Sequence, residues 1–517
     1  MTQFAFTALT PSAFLQRAGH VFRDRLAVVD GELRFTYEQF LRRSRRLAGA
    51  LAGLGVGPGD RVAALCVNSH VMLELHNGVP MAAAVLVPLN IRLSAGELAY
   101  IVEHSGARVL IATSELAERA GEVAAVTGVR LVVAGGDGEY ERLLAEAGPR
   151  VAGCDDERAL LAINYTSGTT GRPKGVMYHH RGAYLQALAM AFHAGLGPDS
   201  AYLWTLPMFH CDGWCFTWAV TAAGGTHVCL RTVDPGRIWR LLREEGVTHF
   251  SAAPTVLGMI ANAPEATSGD PPDRIVRVQT GGAPPTPTLL ARMAGLRMEV
   301  THLYGLTETF GPVMINQWQP PWDDLPAGEQ AVLKARQGVG NVIAEQPRVV
   351  DAGGRDVPAD GATIGEIVVR GNDVMLGYYR DEDATAAAGL DGWLRTGDLA
   401  VRHPDGYVEI RDRSKDIIIS GGENIASVEV ERLIDSHPAV LESAVVGVAD
   451  DKWGQIPIAF VTPRDGAEVS AEEIIGYVRD RLAHFKAPRR VVFDELPKTS
   501  TGKIQKNLLR ASAAEEP

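Results

Sequence analysis

Short apolar runs alternate with capped amphipathic helices through the first part of this chain, and that alternation most constrains its fold. Thr36-Tyr37-Glu38-Gln39 has the form of a helix capping box. Phe40, Leu41, Leu47, Leu51 and Leu54 follow it, and Gly55 stops the pattern. Arg61 to Val67 and Ala84 to Leu89 read as buried strands. Ser94-Ala95-Gly96-Glu97 caps a second helix carrying Leu98, Ile101 and Val102, and Val109 to Ala112 is another short strand. Strands separated by helices predict an α/β fold with largely parallel sheets. After about residue 345 the texture changes to short strands and glycine turns: Glu366 to Val369, Gly406 to Ile410, Asp416 to Ser420. From Val428 two helical patterns alternate with strands. Ser470-Ala471-Glu472-Glu473 caps the clearer helix, predicted to carry Ile474, Ile475, Val478, Leu482 and Phe485 on one face. The expectation is a large N-terminal α/β domain of mixed and parallel sheets with helices, residues 1–411, and a small α+β C-terminal domain, residues 412–517, with the boundary near Arg411 to Lys415.

The most informative segment is Tyr165 to Val176, Y-T-S-G-T-T-G-R-P-K-G-V. It follows the apolar, strand-like run Ala159 to Ile163. Thr166, Ser167, Thr169 and Thr170 surround Gly168 and Gly171, and Lys174 stands just beyond. Hydroxyls donate hydrogen bonds, glycines let backbone N–H groups approach an anion, and lysine adds a mobile charge. Together these suit a polyphosphate. The segment is not the loop G-x-x-x-x-G-K-[ST], because Arg172 and Pro173 separate Gly171 from Lys174. That difference argues against a kinase or ATPase of that type.

A net charge of −12 argues against a general nucleic-acid binder. No uncharged apolar run is long enough to predict a membrane span, and the N-terminus has no basic region before an apolar core. The cysteines, Cys66, Cys154, Cys211, Cys215 and Cys229, form no C-x-x-C pair, so a reducing cytoplasm is the expected compartment. Cys211 and Cys215 lie near His210, but no second ligand pair follows at metal-binding spacing, so they read as small buried residues. The sequence leaves a homodimer open.

Four more segments carry chemistry: Tyr304-Gly305-Leu306-Thr307-Glu308-Thr309, Trp393 to Asp398, the charge run Arg411 to Asp416, and Pro497 to Lys503. Each has a plain structural reading of its own. Glu308 could sit in the first turn of a helix, Asp398 could form a turn, and a charge run is usually a solvated face. Taken together with the Gly/Thr loop and in this order, they resemble the adenylate-forming superfamily of acyl-CoA synthetases, adenylation domains of peptide synthetases and beetle luciferases. The resemblance spans nearly the whole chain.

That resemblance implies roles for particular residues. The loop from Thr166 to Lys174 would hold the β- and γ-phosphates of ATP. Glu308 would bind Mg²⁺, and Thr307 would touch the α-phosphate. Gly281, Gly282, Ala283 and Pro284 would lie against adenine, with Tyr304 beside the nucleotide. Asp398 would accept the ribose hydroxyls, helped by Arg413. Lys503 would bridge the substrate carboxylate and the α-phosphate. Lys415 would be the hinge about which a mobile small domain turns, and Gly421, Gly422 and Glu423 would then line a channel for CoA. His210, Asp212, Gly213 and Trp214, with Gly281 and Gly305, would line the acid pocket.

The chemistry suits these roles. A carboxylate attacks the α-phosphorus to give acyl-AMP and pyrophosphate, and a thiol then displaces AMP. Two anions must meet, so Lys174, Lys503 and Mg²⁺ would offset their repulsion. The nucleophile arrives on a substrate, and accordingly the chain has no G-x-S-x-G elbow. No lysine or arginine occurs between Met208 and Val220 to bind a second carboxylate, so a largely apolar acid is expected: medium-chain fatty, branched or aryl. The expected enzyme is an acyl-CoA synthetase. The alternative is an acyl-adenylate ligase that loads the pantetheine of a carrier protein.

Overall fold

A computed structural model describes residues 6–136, 138–166, 172–268, 272–413, 415–421, 423–450, 452–499 and 504–515. Two sheets with parallel centres form its larger part. A six-stranded sheet runs in the order Arg130–Ala134, Ala107–Thr113, Arg61–Leu65, Val85–Pro88, Leu160–Thr166, Lys174–His179, and only the last pairing is antiparallel. A nine-stranded sheet contains the parallel neighbours Ala201–Leu203, His249–Ala252, Val276–Thr280 and Met298–Leu306, with antiparallel strands at both edges.

Helices Tyr37–Gly53, His70–Met81, His180–Ala194 and Phe216–Ala223 lie between the two sheets. One continuous core joins Val62 and Leu86 of the first sheet to Tyr202 and Leu303 of the second. Every residue of His70–Met81 is buried, as expected of a helix covered on all sides. The outer faces carry their own helices. Leu98 and Val123 cover the six-stranded sheet, while Ile238, Leu257 and Met293 cover the nine-stranded one. Both capping boxes read from the sequence form: Thr36 accepts from Gln39 N, and Ser94 from Glu97 N.

The later sheets match the change in sequence texture. Arg348–Val350, Gly365–Val369, Gly389–Leu390, Trp393–Arg402 and Val408–Arg413 make an antiparallel sheet. The predicted strand at Gly406 begins later, because Gly406 turns at φ +86°. The C-terminal sheet combines Ile418–Ser420, Glu423–Ile425, Val440–Asp450, Gly454–Pro463 and Arg490–Phe493 around its own core. One helix is shorter than its sequence pattern. Ala471–Arg479 ends before Leu482, and Phe485 falls in the separate turn His484–Lys486, partly exposed. Lys486 Nζ pairs with Glu429 at 2.6 Å, so a tertiary ion pair directs that turn onto helix Ser427–Asp435.

Candidate active site

Lys174, Thr307, Glu308 and the segment at Cys211 lie together where the parallel strands of the two large sheets end, the usual place for a site in such sheets. Leu160–Thr166 and Lys174–His179 form a hairpin with Thr166 directly opposite Lys174. Ser167, Gly168, Thr169, Thr170 and Gly171, between these two ends, lie outside the described residues, as does Lys503. Residues 375–379 run along the hairpin's free edge. Leu376 N donates to Met177 O at 3.0 Å, and Tyr379 N to Gly175 O at 2.7 Å. This edge delivers Tyr378, whose hydroxyl donates to Glu308 Oε1 at 2.7 Å while Lys174 Nζ sits 5.0 Å from its ring centre. Tyr378 was not a sequence candidate. No motif surrounds it, and only pairing with the hairpin brings it in.

Glu308 belongs to the short turn Thr307–Thr309 at the end of strand Met298–Leu306. Thr309 Oγ1 accepts from Leu306 N at 2.9 Å and donates to Gly311 O at 2.7 Å, which fixes the turn. Tyr178 stacks on Phe310 at 3.9 Å and donates to Thr307 O at 2.6 Å. Lys174, Thr307 and Glu308 are thereby drawn together from two sheets. Glu308 is a hard oxygen donor beside hydroxyls. One or two such carboxylates plus phosphate oxygens suffice for Mg²⁺, so the residues present fit that ion.

Asp398 and Arg413 face each other across strands Trp393–Arg402 and Val408–Arg413. Arg413 Nε lies 3.1 Å from Asp398 Oδ1, and the Tyr304 hydroxyl donates to Asp398 Oδ2 at 2.6 Å. Burial and the neighbouring carboxylate push the Tyr304 pKa well up, so the phenol stays a donor. Asp398 is buried, and it joins a residue of the nine-stranded sheet to the antiparallel sheet.

Gly281, Gly282, Ala283 and Pro284 follow strand Val276–Thr280. A Cβ at Gly281 would lie 2.9 Å from Leu303 O and 3.1 Å from Trp214 Cη2, and one at Gly305 only 1.8 Å from Gly311 O. Packing therefore demands glycine at both positions.

The segment 211–215 has the longest run of left-handed residues among the described residues. Cys211, Asp212, Gly213, Trp214 and Cys215 have φ values of 49°, 44°, 61°, 53° and 61°. A left-handed conformation costs roughly 1–2 kcal/mol per residue bearing a Cβ, so the surroundings must enforce it. Asn164 Nδ2 donates to Asp212 Oδ1 at 2.9 Å, and Asp212 N donates back to Asn164 Oδ1 at 3.3 Å. Gly213 N donates to His210 O at 2.8 Å. Asp212 is fully buried, and its Oδ2 has no partner. Burial raises its pKa to about 7, with the Asn164 hydrogen bond opposing. His210, just before the turn, is half-buried and kept neutral, its pKa lowered to about 4 by desolvation. Cys211 Sγ lies 3.6 Å from both His210 Nε2 and Thr307 Oγ1. Phe216 and Trp218 are core residues of the following helix, and both cysteines are buried thiols.

In the C-terminal part, Lys415 is exposed. Desolvation and the nearby Arg413 and Arg510 lower its pKa. Gly421, at φ +62°, turns the hairpin Ile418–Ser420/Glu423–Ile425, while Gly422 lies outside the described residues. A Cβ at Gly421 would meet the Trp453 ring at 2.9 Å. The Trp453 ring is partly exposed, with Lys452 Nζ 5.0 Å and Arg489 Cζ 5.6 Å from its centre. Sequence reasoning missed this cluster, because Gly421 and Arg489 are distant in the chain from Lys452 and Trp453.

The chain matches the AMP-binding enzyme family over residues 15–379 and the AMP-binding enzyme C-terminal domain over 429–503. It is 44% identical to the peroxisomal acetate/butyrate–CoA ligase of Arabidopsis thaliana, over 99% of this chain and 95% of that protein. It is 42% identical to 4-hydroxybutyrate–CoA ligase 2 of Metallosphaera sedula, over 98% and 95%. Its structure resembles that of ATP-bound MatB from Rhodopseudomonas palustris with a TM-score of 0.86 at 28% identity, covering 97% of this chain and 98% of that one.

Proposed function

We propose, from the premise that this chain belongs to the AMP-binding enzyme family and is an acyl-CoA synthetase, that it joins a largely apolar carboxylic acid to CoA while ATP is cleaved to AMP and pyrophosphate. One observation carries the site assignment. Lys174, Thr307 and Glu308 converge from two sheets next to the Asp398–Arg413–Tyr304 cluster and the buried acid turn.

In the first half-reaction an acid oxygen attacks the α-phosphorus, and the bond to the β-phosphate oxygen breaks, releasing pyrophosphate. Thr166 to Lys174 hold the leaving phosphates. Lys174 places its ammonium beside Tyr378, which also orients Glu308. Mg²⁺, held by Glu308 and phosphate oxygens, supplies charge neutralisation when bound. Asp398 accepts from the ribose hydroxyls. Arg413 orients that carboxylate, while Tyr304 fixes its other oxygen. Gly281 to Pro284 flank adenine, and Lys503 bridges the two anions. His210 is neutral, so it adds no charge to repel or trap the acid at the pocket mouth. In the second half-reaction the CoA thiol loses its proton and attacks the acyl carbon, and AMP departs.

Residues 1–411 form the large domain and 412–517 a lid that turns about Lys415. Gly421, Gly422 and Glu423 flank the pantetheine arm. Trp453, between Lys452 and Arg489, has the aromatic face and the cations that suit the adenine and phosphates of CoA. A role in fatty acid metabolism, a cytoplasmic location and a homodimer complete the reading. Cell fractionation and light scattering test the last two. No helix among the described residues is long and apolar enough to cross a membrane.

The testing experiment measures AMP and pyrophosphate release with Mg-ATP across a panel of carboxylic acids, with and without CoA. Acid-dependent AMP formation that rises with CoA, with an acyl-CoA product by mass, is expected. Pyrophosphate exchange without CoA turnover would point instead to a carrier-protein ligase, and no acid dependence would sink the reading.

A further inference from the structure

A cluster of rings fastens the phosphate hairpin to a helix that carries none of the predicted site residues. Tyr165 faces Gly175 across the hairpin, and its ring leans over that glycine: a Cβ there would lie 3.1 Å from Tyr165 Cζ and 2.8 Å from Ile163 Cγ2. The Tyr165 hydroxyl shares a hydrogen bond with His104 Nδ1 at 2.7 Å. His104 stands one residue before the end of helix Ala95–Ser105. Its ring stacks on Tyr100 with centres 5.5 Å apart and meets Tyr379 edge-on at 5.8 Å. Tyr379 N donates to Gly175 O, so one imidazole touches a neighbour of Gly175 on each side.

Two arginines close the cluster. Arg172 Cζ lies 5.6 Å from the Tyr100 ring centre, and Arg380 Cζ 5.1 Å from that of Tyr379. Arg380 Nη1 also donates to His104 O at 3.0 Å. Tyr165 precedes the predicted phosphate segment and Arg172 lies near its end, so both ends are fastened to the last turns of one helix. Burial keeps the Tyr165 phenol protonated, and burial together with Arg380 holds the His104 pKa below its ordinary value. A neutral imidazole is therefore there to accept from the phenol. Anchoring a segment before its ligand arrives lowers the ordering cost of binding.

We propose that His104 is a positioning residue for the phosphate segment: through Tyr165, and with Tyr100 holding Arg172, it orients the hairpin stem that bears Lys174, and so strengthens binding of ATP and pyrophosphate but not of AMP. The inference rests on the assignment of residues 166–174 to the β- and γ-phosphates proposed above. His104 touches no substrate in this reading. It acts through the Tyr165 hydroxyl, so removing either partner of that hydrogen bond has the same consequence.

The experiment is acid-dependent pyrophosphate exchange, giving KM for ATP and for pyrophosphate, together with the inhibition constant of AMP. It compares the wild type with His104→Ala, Tyr165→Phe, the double variant and His104→Asn. Both single variants should raise KM for ATP and for pyrophosphate roughly 5–20-fold, with AMP inhibition and the KM for acid unchanged. The double variant should rise no further than either single one, because both remove one hydrogen bond. His104→Asn keeps a polar atom near the place of Nδ1 and should recover much of the loss. Tyr165→Phe deletes only an oxygen, so it keeps the test open should His104→Ala fail to fold. Folded variants with unchanged KM for ATP, or an equal weakening of AMP, would overturn the inference while leaving the ligase reading intact. A wild type without acid-dependent exchange would overturn both.

Discussion

The two halves of the proposed site differ in how they are held. The large part is interlocked. Tyr178 reaches Thr307, Tyr378 reaches Glu308, Tyr304 reaches Asp398, and Asn164 holds the acid turn. Each of these bonds joins separate elements, so the geometry is set before any substrate arrives. The C-terminal part has its own core around Ile418, Val445 and Ile474. It follows Arg413 through the exposed Lys415, and it also touches the large part by bonds that cross that point. Ser427 N and Oγ donate to Asp412, and Arg432 pairs with Glu409. The contrast teaches a division of labour: one half is preorganised, while the other is a folded unit whose attachments are polar and few enough to exchange if it turns.

The largest test of that contrast removes a charge from the second half. Lys503→Ala is expected to lower adenylation by about a thousandfold, while thioesterification of supplied acyl-AMP remains within severalfold of wild type. Equal loss of both half-reactions would erase the distinction. Next is Asp398→Ala in the interlocked half. It leaves Arg413 unpaired and Tyr304 without its acceptor, so KM for ATP should rise roughly 10–100-fold in both pyrophosphate exchange and the full reaction. A smaller effect is expected of Trp453→Ala, about a tenfold rise in KM for CoA with acid-dependent pyrophosphate exchange unchanged. A change in exchange instead would place Trp453 outside the second half.

The smallest effect is on stability. Burial raises the folded pKa of Asp212 to about 7 from the ordinary 3.8. A raised acid pKa contributes stability that is fully present below the unfolded value and lost as pH rises through the folded one. Asp212→Asn keeps an acceptor for Asn164 but does not ionise. Its stability relative to wild type should therefore climb between pH 4 and pH 8, by on the order of 1–4 kcal/mol in urea unfolding. Asp373, also buried with its pKa raised to about 7, leaves a residual slope in the variant. A difference that stays flat with pH would mean that Asp212 is ionised throughout.

Much of this was legible in the chain. The capping boxes at Thr36 and Ser94, the parallel-sheet alternation and the later run of short strands and glycine turns all follow from local spacing, and all appear. Thr307 and Glu308 fall on a turn at a strand end, whereas Asp398, read as a turn former, lies inside strand Trp393–Arg402 opposite Arg413, because pairing with Val408–Arg413 extends that strand through Gly397. The extent of helix Ala471–Arg479 was misread, since the apolar spacing continues through Leu482 and Phe485 while the ion pair of Lys486 with Glu429 redirects the chain.

What the sequence alone determined is the order of the elements and the chemical types at the site: patterning fixes which face is buried, and motif spacing fixes which polar groups travel together. Tertiary structure alone decided the rest. Tyr378 enters by pairing with the hairpin edge, Trp453 meets Arg489 across the C-terminal fold, and residues 211–215 take a left-handed path that their own propensities disfavour. Each depends on contacts between residues distant in the chain, whose combined packing and hydrogen bonding outweigh the local preference that a sequence pattern reports.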